Sequence, residues 1–309
     1  MNTAIIGTGG VGGYFGGKIA CARNNVTFLA RGNHLDALRN QGLKVKSYLG
    51  DFSVENVTAT DKISDIEAPD LVIVALKAWQ IRDISPELRK IIHEDTVILP
   101  LQNGILAADE LSEHINPANI LEGLCRIQSK IESPGIINHF GIEPAIIFGE
   151  KDNSISDRVL KLKNFFSSCG IISKATDNIQ AELWKKFISI CASGLLAVCN
   201  STYGEIRELP ETRTLLTEVL TEVYNLSQKA GIKIGADFVT RAVSYIDTFP
   251  YDSTSSLTRD ILEGKPSEIE YQNGTVVKLA EKYDLEVPVN RFIYYCLLPV
   301  ENKARALIR

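Results

Sequence analysis

Six residues near the amino terminus form the first pattern that could do chemistry. Gly7-Thr8-Gly9-Gly10-Val11-Gly12 follows the apolar run Thr3-Ala4-Ile5-Ile6 and opens a helix-like segment, the setting in which Gly-x-Gly-x-x-Gly cradles a dinucleotide. Gly7 permits a tight turn, Gly9 lets the backbone approach a pyrophosphate, and Gly12 lets the helix lie close to the sheet with its positive end toward the phosphates. Gly10 and Val11 complete the same cofactor loop. At the end of the next apolar run, where an NAD enzyme usually carries an acid for the ribose hydroxyls, the chain has Arg31. A guanidinium there pairs with the 2′-phosphate of NADP, so NADP(H) is the expected cofactor.

Two more apolar runs end in polar side chains, Val74-Ala75-Leu76-Lys77 and Val97-Ile98-Leu99-Pro100-Leu101-Gln102-Asn103-Gly104. In a doubly wound sheet the strand ends line the ligand crevice, which would bring Lys77 and Asn103 to the nicotinamide end of a dinucleotide. A solvated helix-start lysine and a turn asparagine account for each of them equally well when taken singly.

Further along, Ile179, Leu183, Lys186 and Ile190 share one helical stripe and Glu182, Lys185 and Ser189 the next,. A lysine half withdrawn from water has a lowered pKa and can donate a proton near neutrality, as carbonyl reduction requires. Glu182 and Lys186 are also four apart, so a surface ion pair is the competing reading, and the spacing does not choose. Ser253-Thr254-Ser255-Ser256 reads as a helix start, suited to capping and to holding a carboxylate,. By its local pattern Glu268, just after Pro266, is a favourable charge on a helix dipole.

The elements that must position these residues fall into two groups. Up to about residue 175, β-branched runs (3–6, 26–30, 71–76, 96–99) alternate with helical segments, the pattern of a parallel sheet covered by helices,. After about residue 120, longer strand candidates separated by Gly and Pro suggest antiparallel additions to the sheet edge. A helix over 156–167 and a strand near 171–173 close this half. Beyond Asp177 helical patterns take over at 178–199, 211–230, 255–263, 267–283 and 289–307. The expected organisation is a doubly wound α/β domain over 1–176 and a mostly α-helical domain over 177–309.

Composition narrows the function classes. A chain of 309 residues is two domains on a prior of roughly 100–200 residues each. With 33 basic against 38 acidic residues the formal net charge is −5, which offers no overall field for nucleic acid or an anionic membrane. The six cysteines are scattered without a Cys-x-x-Cys pair, so neither a metal site nor a disulfide framework is expected. No signal-like amino terminus and no apolar run of membrane-spanning length stand out, and a cytoplasmic protein is the expectation.

Taken in order, several segments resemble the ketopantoate reductase (2-dehydropantoate 2-reductase) family over essentially the whole chain: the glycine loop, Leu29-Ala30-Arg31, Ala75-Leu76-Lys77-Ala78-Trp79-Gln80, Gln102-Asn103-Gly104, Ala181-Glu182-Leu183-Trp184-Lys185-Lys186, Ser255-Ser256-Leu257, and Glu268-Ile269-Glu270-Tyr271-Gln272-Asn273-Gly274. The resemblance implies a Rossmann domain joined to a helical domain, and NADPH-dependent reduction of a 2-oxo acid to a 2-hydroxy acid, as in pantothenate biosynthesis. By that analogy Lys186 is the general acid, Glu268 orients substrate and lysine, Ser256 contacts the substrate carboxylate and Asn103 sits beside the nicotinamide. Arg31 and Lys77 fall at cofactor positions, and a homodimer is compatible with the sequence.

The pattern departs from the family where asparagines line the first helix of the second domain and precede the following Gly-Glu. Here those places hold Ile190, Gly194 (or Ser193) and Tyr203. Fewer hydrogen-bonding groups there imply a more apolar 2-oxo acid or carbonyl as the alternative substrate. A non-catalytic NADP sensor is a third reading, disfavoured because a sensor needs the glycine loop and not Lys186, Glu268, Ser256 and Asn103 together.

Overall fold

The apolar runs of the first half alternate with helices as far as residue 120. They form β1 (Thr3–Ile6), α1 (Gly10–Cys21), β2 (Val26–Leu29), α2 (Gly32–Gln41), β3 (Leu43–Ser47), β4 (Phe52–Val54), β5 (Thr58–Thr60), β6 (Leu71–Val74), α3 (Ile81–Leu88), β7 (Val97–Pro100) and α4 (Ala107–Ser112). In this computed structural model, which describes residues 1–307, five of the strands make a parallel sheet in the order β5-β2-β1-β6-β7. The order reverses between β1 and β6, so the crevice at their carboxyl ends is a topological switch point, where such sheets take ligands. Both faces are covered: Ile5, Leu71, Ile73 and Leu99 enter one core, while Ala4, Ile6, Val72, Val74 and Ile98 enter another. That two-sided burial is why the strands read as continuous apolar runs.

The next strands differ from the expectation. β8 (Glu122–Ser133) and β9 (Ile136–Gly149) form the antiparallel hairpin, followed by α5 (Asp157–Ser168) and β10 (Ile172–Ala175), but the hairpin belongs to a second sheet rather than to the edge of the first. The cause is the length of β9, whose first half pairs with β3 and whose second half pairs with β10, both parallel, while β8 takes its other edge.

Helix α1 is the layer between the two sheets, and its glycines serve both. A Cβ on Gly12 or Gly16 would strike Ile5 or Phe28 of the first sheet, and one on Gly13 or Gly17 would press on Ile137, Leu43 or Phe52 on the other side. Residues four apart share a helix face, so the two glycine pairs flatten the two sides of one helix.

The second half is helical: α6 (Ile179–Ile190), α7 (Ala192–Cys199), α8 (Tyr203–Glu208), α9 (Pro210–Lys229), α10 (Phe238–Asp247), α11 (Ser256–Leu262), α12 (Asn273–Lys282) and α13 (Pro288–Ala306). The expected helix over 178–199 breaks at Cys191, and the one over 267–283 begins as a short 3-10 turn, Ile269–Tyr271, before Gln272 leaves helical geometry. Helices α8 and α10 were not legible from periodicity, α8 because it spans only six residues behind a Thr202–Glu205 capping box. By internal contacts the chain forms two units, residues 1–102 with 106–179, and Asn103–Ile105 with Gln180 onward. Among the described residues no helix is long and apolar enough to cross a membrane.

Candidate active site

The glycine loop is built as its spacing demands. Gly7 has a φ of +99°, which other residues rarely adopt,. A Cβ on Gly12 would lie 2.1 Å from the Gly7 carbonyl oxygen and 2.8 Å from Ile5 Cγ2, whereas one on Gly9 would meet nothing within 4 Å. Gly12 is therefore needed for helix-to-strand contact and Gly9 faces open space. Thr8 ties the loop to the end of β2, its backbone N–H and hydroxyl donating to the Leu29 carbonyl at 3.1 and 3.0 Å. A cavity of about 500 Å³ opens beside it, lined by Gly7, Thr8, Arg31, His34, Leu76 and Gln80 among others. Arg31 is exposed, and among the described residues its guanidinium has no hydrogen-bond or ion-pair partner.

Two side chains that sequence reasoning missed lie close by, His34 on the cavity wall and Ser129 against Gly10. Strand β8 crosses the loop so closely that a Cβ on Gly10 would lie 2.6 Å from the Ser129 backbone. The buried Ser129 hydroxyl has no hydrogen-bond partner among the described residues. His34 Nδ1 accepts from the Gly135 N–H at 3.1 Å, so the neutral ring carries its proton on Nε2, and burial lowers its pKa. An open face at Gly9, an uncapped α1 amino terminus and an orphaned hydroxyl at the loop fit a bound pyrophosphate. Val11 packs its side chain on the core and offers only its backbone to such a ligand. Lys77 is half-buried between Leu76 and Gln80, with Nζ 5.7 Å from the Trp79 ring centre.

In the helical unit the segment after β7 meets the segment before α12. Asn103 Nδ2 donates to Glu268 Oε2 at 3.1 Å. Gly104, at φ +97°, lets the chain run under the Tyr271 carbonyl, where a Cβ would come within 2.9 Å. Ile105 packs on the helical core. Glu268 is only 5% exposed, so its carboxylate depends on such partners.

Helix α6 carries Lys186 on the stripe its periodicity suggested, with Ile179 and Leu183 of that stripe buried,. The face in the core is Ala181, Trp184, Phe187, Ile188 and Cys191. Lys186 and Ile190 are half-buried. Lys185 Nζ pairs with Glu182 Oε1 at 3.4 Å.

Residues 3–153 match the family model described as Ketopantoate reductase PanE/ApbA, and residues 178–301 match that for its C terminal part. The chain belongs to the ketopantoate reductase family. It is 27% identical to the uncharacterized oxidoreductase YkpB of Bacillus subtilis (strain 168), over 95% of this chain and 97% of that one. It is 28% identical to a 2-dehydropantoate 2-reductase of Nostoc sp. (strain PCC 7120 / SAG 25.82 / UTEX 2576), over 98% and 96%. The crystal structure of a PanE/ApbA family ketopantoate reductase from Ralstonia eutropha JMP134 superposes with a TM-score of 0.91 at 26% identity, covering 99% and 100%. A D-mandelate dehydrogenase with NADH and anilino(oxo)acetate shares the fold, with a TM-score of 0.89 at 21% identity over 99% and 100%. The family's chemistry is oxidoreduction.

For a member of this family, three positions of this chain need explanation. Ile190 is an apolar, half-buried side chain packed on the helical core. Gly194 is a close helix contact: a Cβ there would sit 2.4 Å from Asn273 Oδ1 and 2.7 Å from Ile293 Cγ2, so a side chain would have to displace them. Ser193, its alternative in alignment, is buried, and burial raises the pKa of the Tyr203 phenol, an effect the nearby Ser193 hydroxyl opposes. Tyr203 also stacks edge-on against Phe249 at 5.1 Å. Asn200 caps α7 in the left-handed conformation and is exposed. Ser256 is exposed in the first turn of α11, whose N-cap is Ser255. The Ser193–Tyr203 pair had no local signal, since ten residues separate a helix interior from the next helix start.

Proposed function

We propose that this ketopantoate reductase family member reduces a 2-oxo acid to the 2-hydroxy acid with NADPH, and that 2-dehydropantoate is among its substrates. The observation that carries the reading is the Asn103–Glu268 hydrogen bond, because it joins the amide expected beside a nicotinamide to the carboxylate expected beside the reacting carbonyl. Bound NADPH supplies the hydride. The remaining tasks fall to the chain: Lys186 Nζ gives a proton to the substrate oxygen, Glu268 orients lysine and substrate, and Ser256 takes the carboxylate. A cytoplasmic setting and a place in pantothenate synthesis belong to the same proposal. NADPH oxidation followed by absorbance against a panel of 2-oxo acids tests it; no turnover with any of them would overturn it.

Arg31 supports NADPH over NADH, standing on the cavity wall with no partner among the described residues and room for a phosphate. Arg31→Ala is expected to weaken NADPH binding by about 1.5–3 kcal/mol, or one to two decades, and to leave NADH unchanged. A specific observation favours NADH as the second reading: Asp61, Asp83 and Glu87 line the same cavity. Calorimetric titration with both cofactors decides between them, and equal affinities in the unmutated protein would remove the NADPH assignment.

The substrate pocket supports a second acid. Ketopantoate carries a distal hydroxyl, and Ile190 and the closed Gly194 position supply no partner for it. Leaving a hydroxyl unpaired costs roughly 1–3 kcal/mol. 2-Oxoisovalerate is therefore expected to be turned over at least as well as ketopantoate, with a kcat/KM up to about a hundredfold higher. A preference for ketopantoate of a hundredfold or more would overturn this reading of the pocket.

A further inference from the structure

Helix α13 buries a carboxylate where the loop bearing Glu268 needs an anchor. Glu301 is 4% exposed. Its Oε1 and Oε2 accept from the Ser267 N–H at 3.2 and 3.0 Å, and Oε2 also accepts from the Ser267 hydroxyl at 2.6 Å. One turn on, Arg305 Nε pairs with Glu301 Oε1 at 2.7 Å, and Arg305 Nη2 donates to the Ser267 carbonyl at 3.1 Å. The Ser267 hydroxyl accepts in turn from the Ile269 N–H at 3.3 Å. One ion pair thus fixes both backbone polar groups of the residue before Glu268 and, through one hydroxyl, the N–H of the residue after it. On the far side Glu270 accepts from Tyr294, also on α13, and from Lys278. This segment leaves helical geometry at Gln272, so a regular ladder of backbone bonds does not set the direction of the Glu268 side chain.

We propose that the Glu301–Arg305 pair is a positioning device for Glu268, holding the Ser267 backbone so that the Glu268 carboxylate stays on Asn103 and toward the substrate. The inference rests on the assignment of Glu268 to the reaction. Neither Glu301 nor Arg305 acts on substrate. Their effect is geometric, and displacement of a reacting group by about 1 Å can cost about a hundredfold in rate.

The test is a double-mutant cycle on the full chain, with NADPH and the best 2-oxo acid of the panel. Glu301→Gln keeps the shape and removes the charge that holds Arg305. It is expected to lower kcat by about tenfold to a hundredfold, with KM for NADPH unchanged. In a Glu268→Gln background the same change is expected to add nothing, because the group it positions is already gone. Ser267→Ala, which keeps the ion pair and loses one hydroxyl, is the milder variant should Glu301→Gln fold poorly, with a loss of about threefold to tenfold in kcat. Calorimetric binding of the 2-hydroxy acid product in the same four proteins gives a readout independent of turnover. An equal loss of kcat in both backgrounds would show a general structural role and overturn the inference, as would an unchanged kcat in Glu301→Gln. An unchanged kcat in Glu268→Gln alone would identify the failure as that of the Glu268 assignment, and the inference would fall with it.

Discussion

Lys186→Ala is expected to lower kcat by about 10²- to 10⁴-fold, the usual contribution of a general acid, while NADPH affinity stays within about twofold. Lys185→Ala is the control. The two lysines are adjacent in sequence and about 100° apart around α6, and Lys185 is engaged with Glu182 at 3.4 Å. Losing that helix-surface pair removes about 0.3–0.5 kcal/mol, so kcat should stay within about threefold of the parent. Steady-state kinetics with saturating NADPH distinguish the outcomes. Comparable losses from both variants would show that α6 as a whole, and not one ammonium group, had been disturbed.

The second large effect concerns the glycine loop, where two substitutions of the same kind should fail differently. A methyl group at Gly12 would stand 2.1 Å from the Gly7 carbonyl oxygen. Gly12→Ala must therefore push α1 off β1, at a cost of about 1–3 kcal/mol in stability together with a hundredfold or greater loss of NADPH affinity. A methyl group at Gly9 meets no protein atom within 4 Å, so Gly9→Ala should keep its stability within about 1 kcal/mol. Its methyl would occupy the space that the pyrophosphate needs, and NADPH affinity should again fall by a hundredfold. Chemical denaturation and calorimetry on both variants separate fold from binding. Normal NADPH affinity in Gly9→Ala would mean that the phosphates lie elsewhere.

Features decided by near neighbours in the chain were legible in the sequence. The parallel strands announced themselves as apolar runs because both faces of the sheet are covered. The glycine loop was legible because the strand and helix that give it meaning flank it directly. The Ile179–Leu183–Lys186–Ile190 stripe of α6 was legible from spacing, and Ile179 and Leu183 are buried; that the helical core takes the Ala181–Trp184–Ile188 face was not, because both sides of this helix are apolar. The second sheet was illegible as a sheet, since β3 meets β9 across a long stretch of chain and β3 alone is a short alternating strand. Gly10 looked like part of a cofactor loop, and nothing nearby in sequence reveals that Ser129 lies against it. Asn103 and Glu268 are 165 residues apart, so only the family pattern could suggest that they share a task. The anchor at Glu301 had no signal, because a glutamate near the end of a helix reads as a solvated charge.

Residues Asn103–Ile105 fold with the helical unit although they are flanked on both sides by the sheet-bearing one. The boundary between the units is accordingly crossed three times by the chain, and a single splice near residue 176 does not separate two self-sufficient modules. Recombining this sheet-bearing half with the helical half of a relative would transplant a foreign tripeptide into the recipient's helical core. Asn103, the partner of Glu268, would come from one parent and the glutamate from the other. Exchange between paralogues thus favours breakpoints that move the Asn103–Ile105 segment together with the second half, and the tripeptide is inherited with the chemistry rather than with the dinucleotide fold around it.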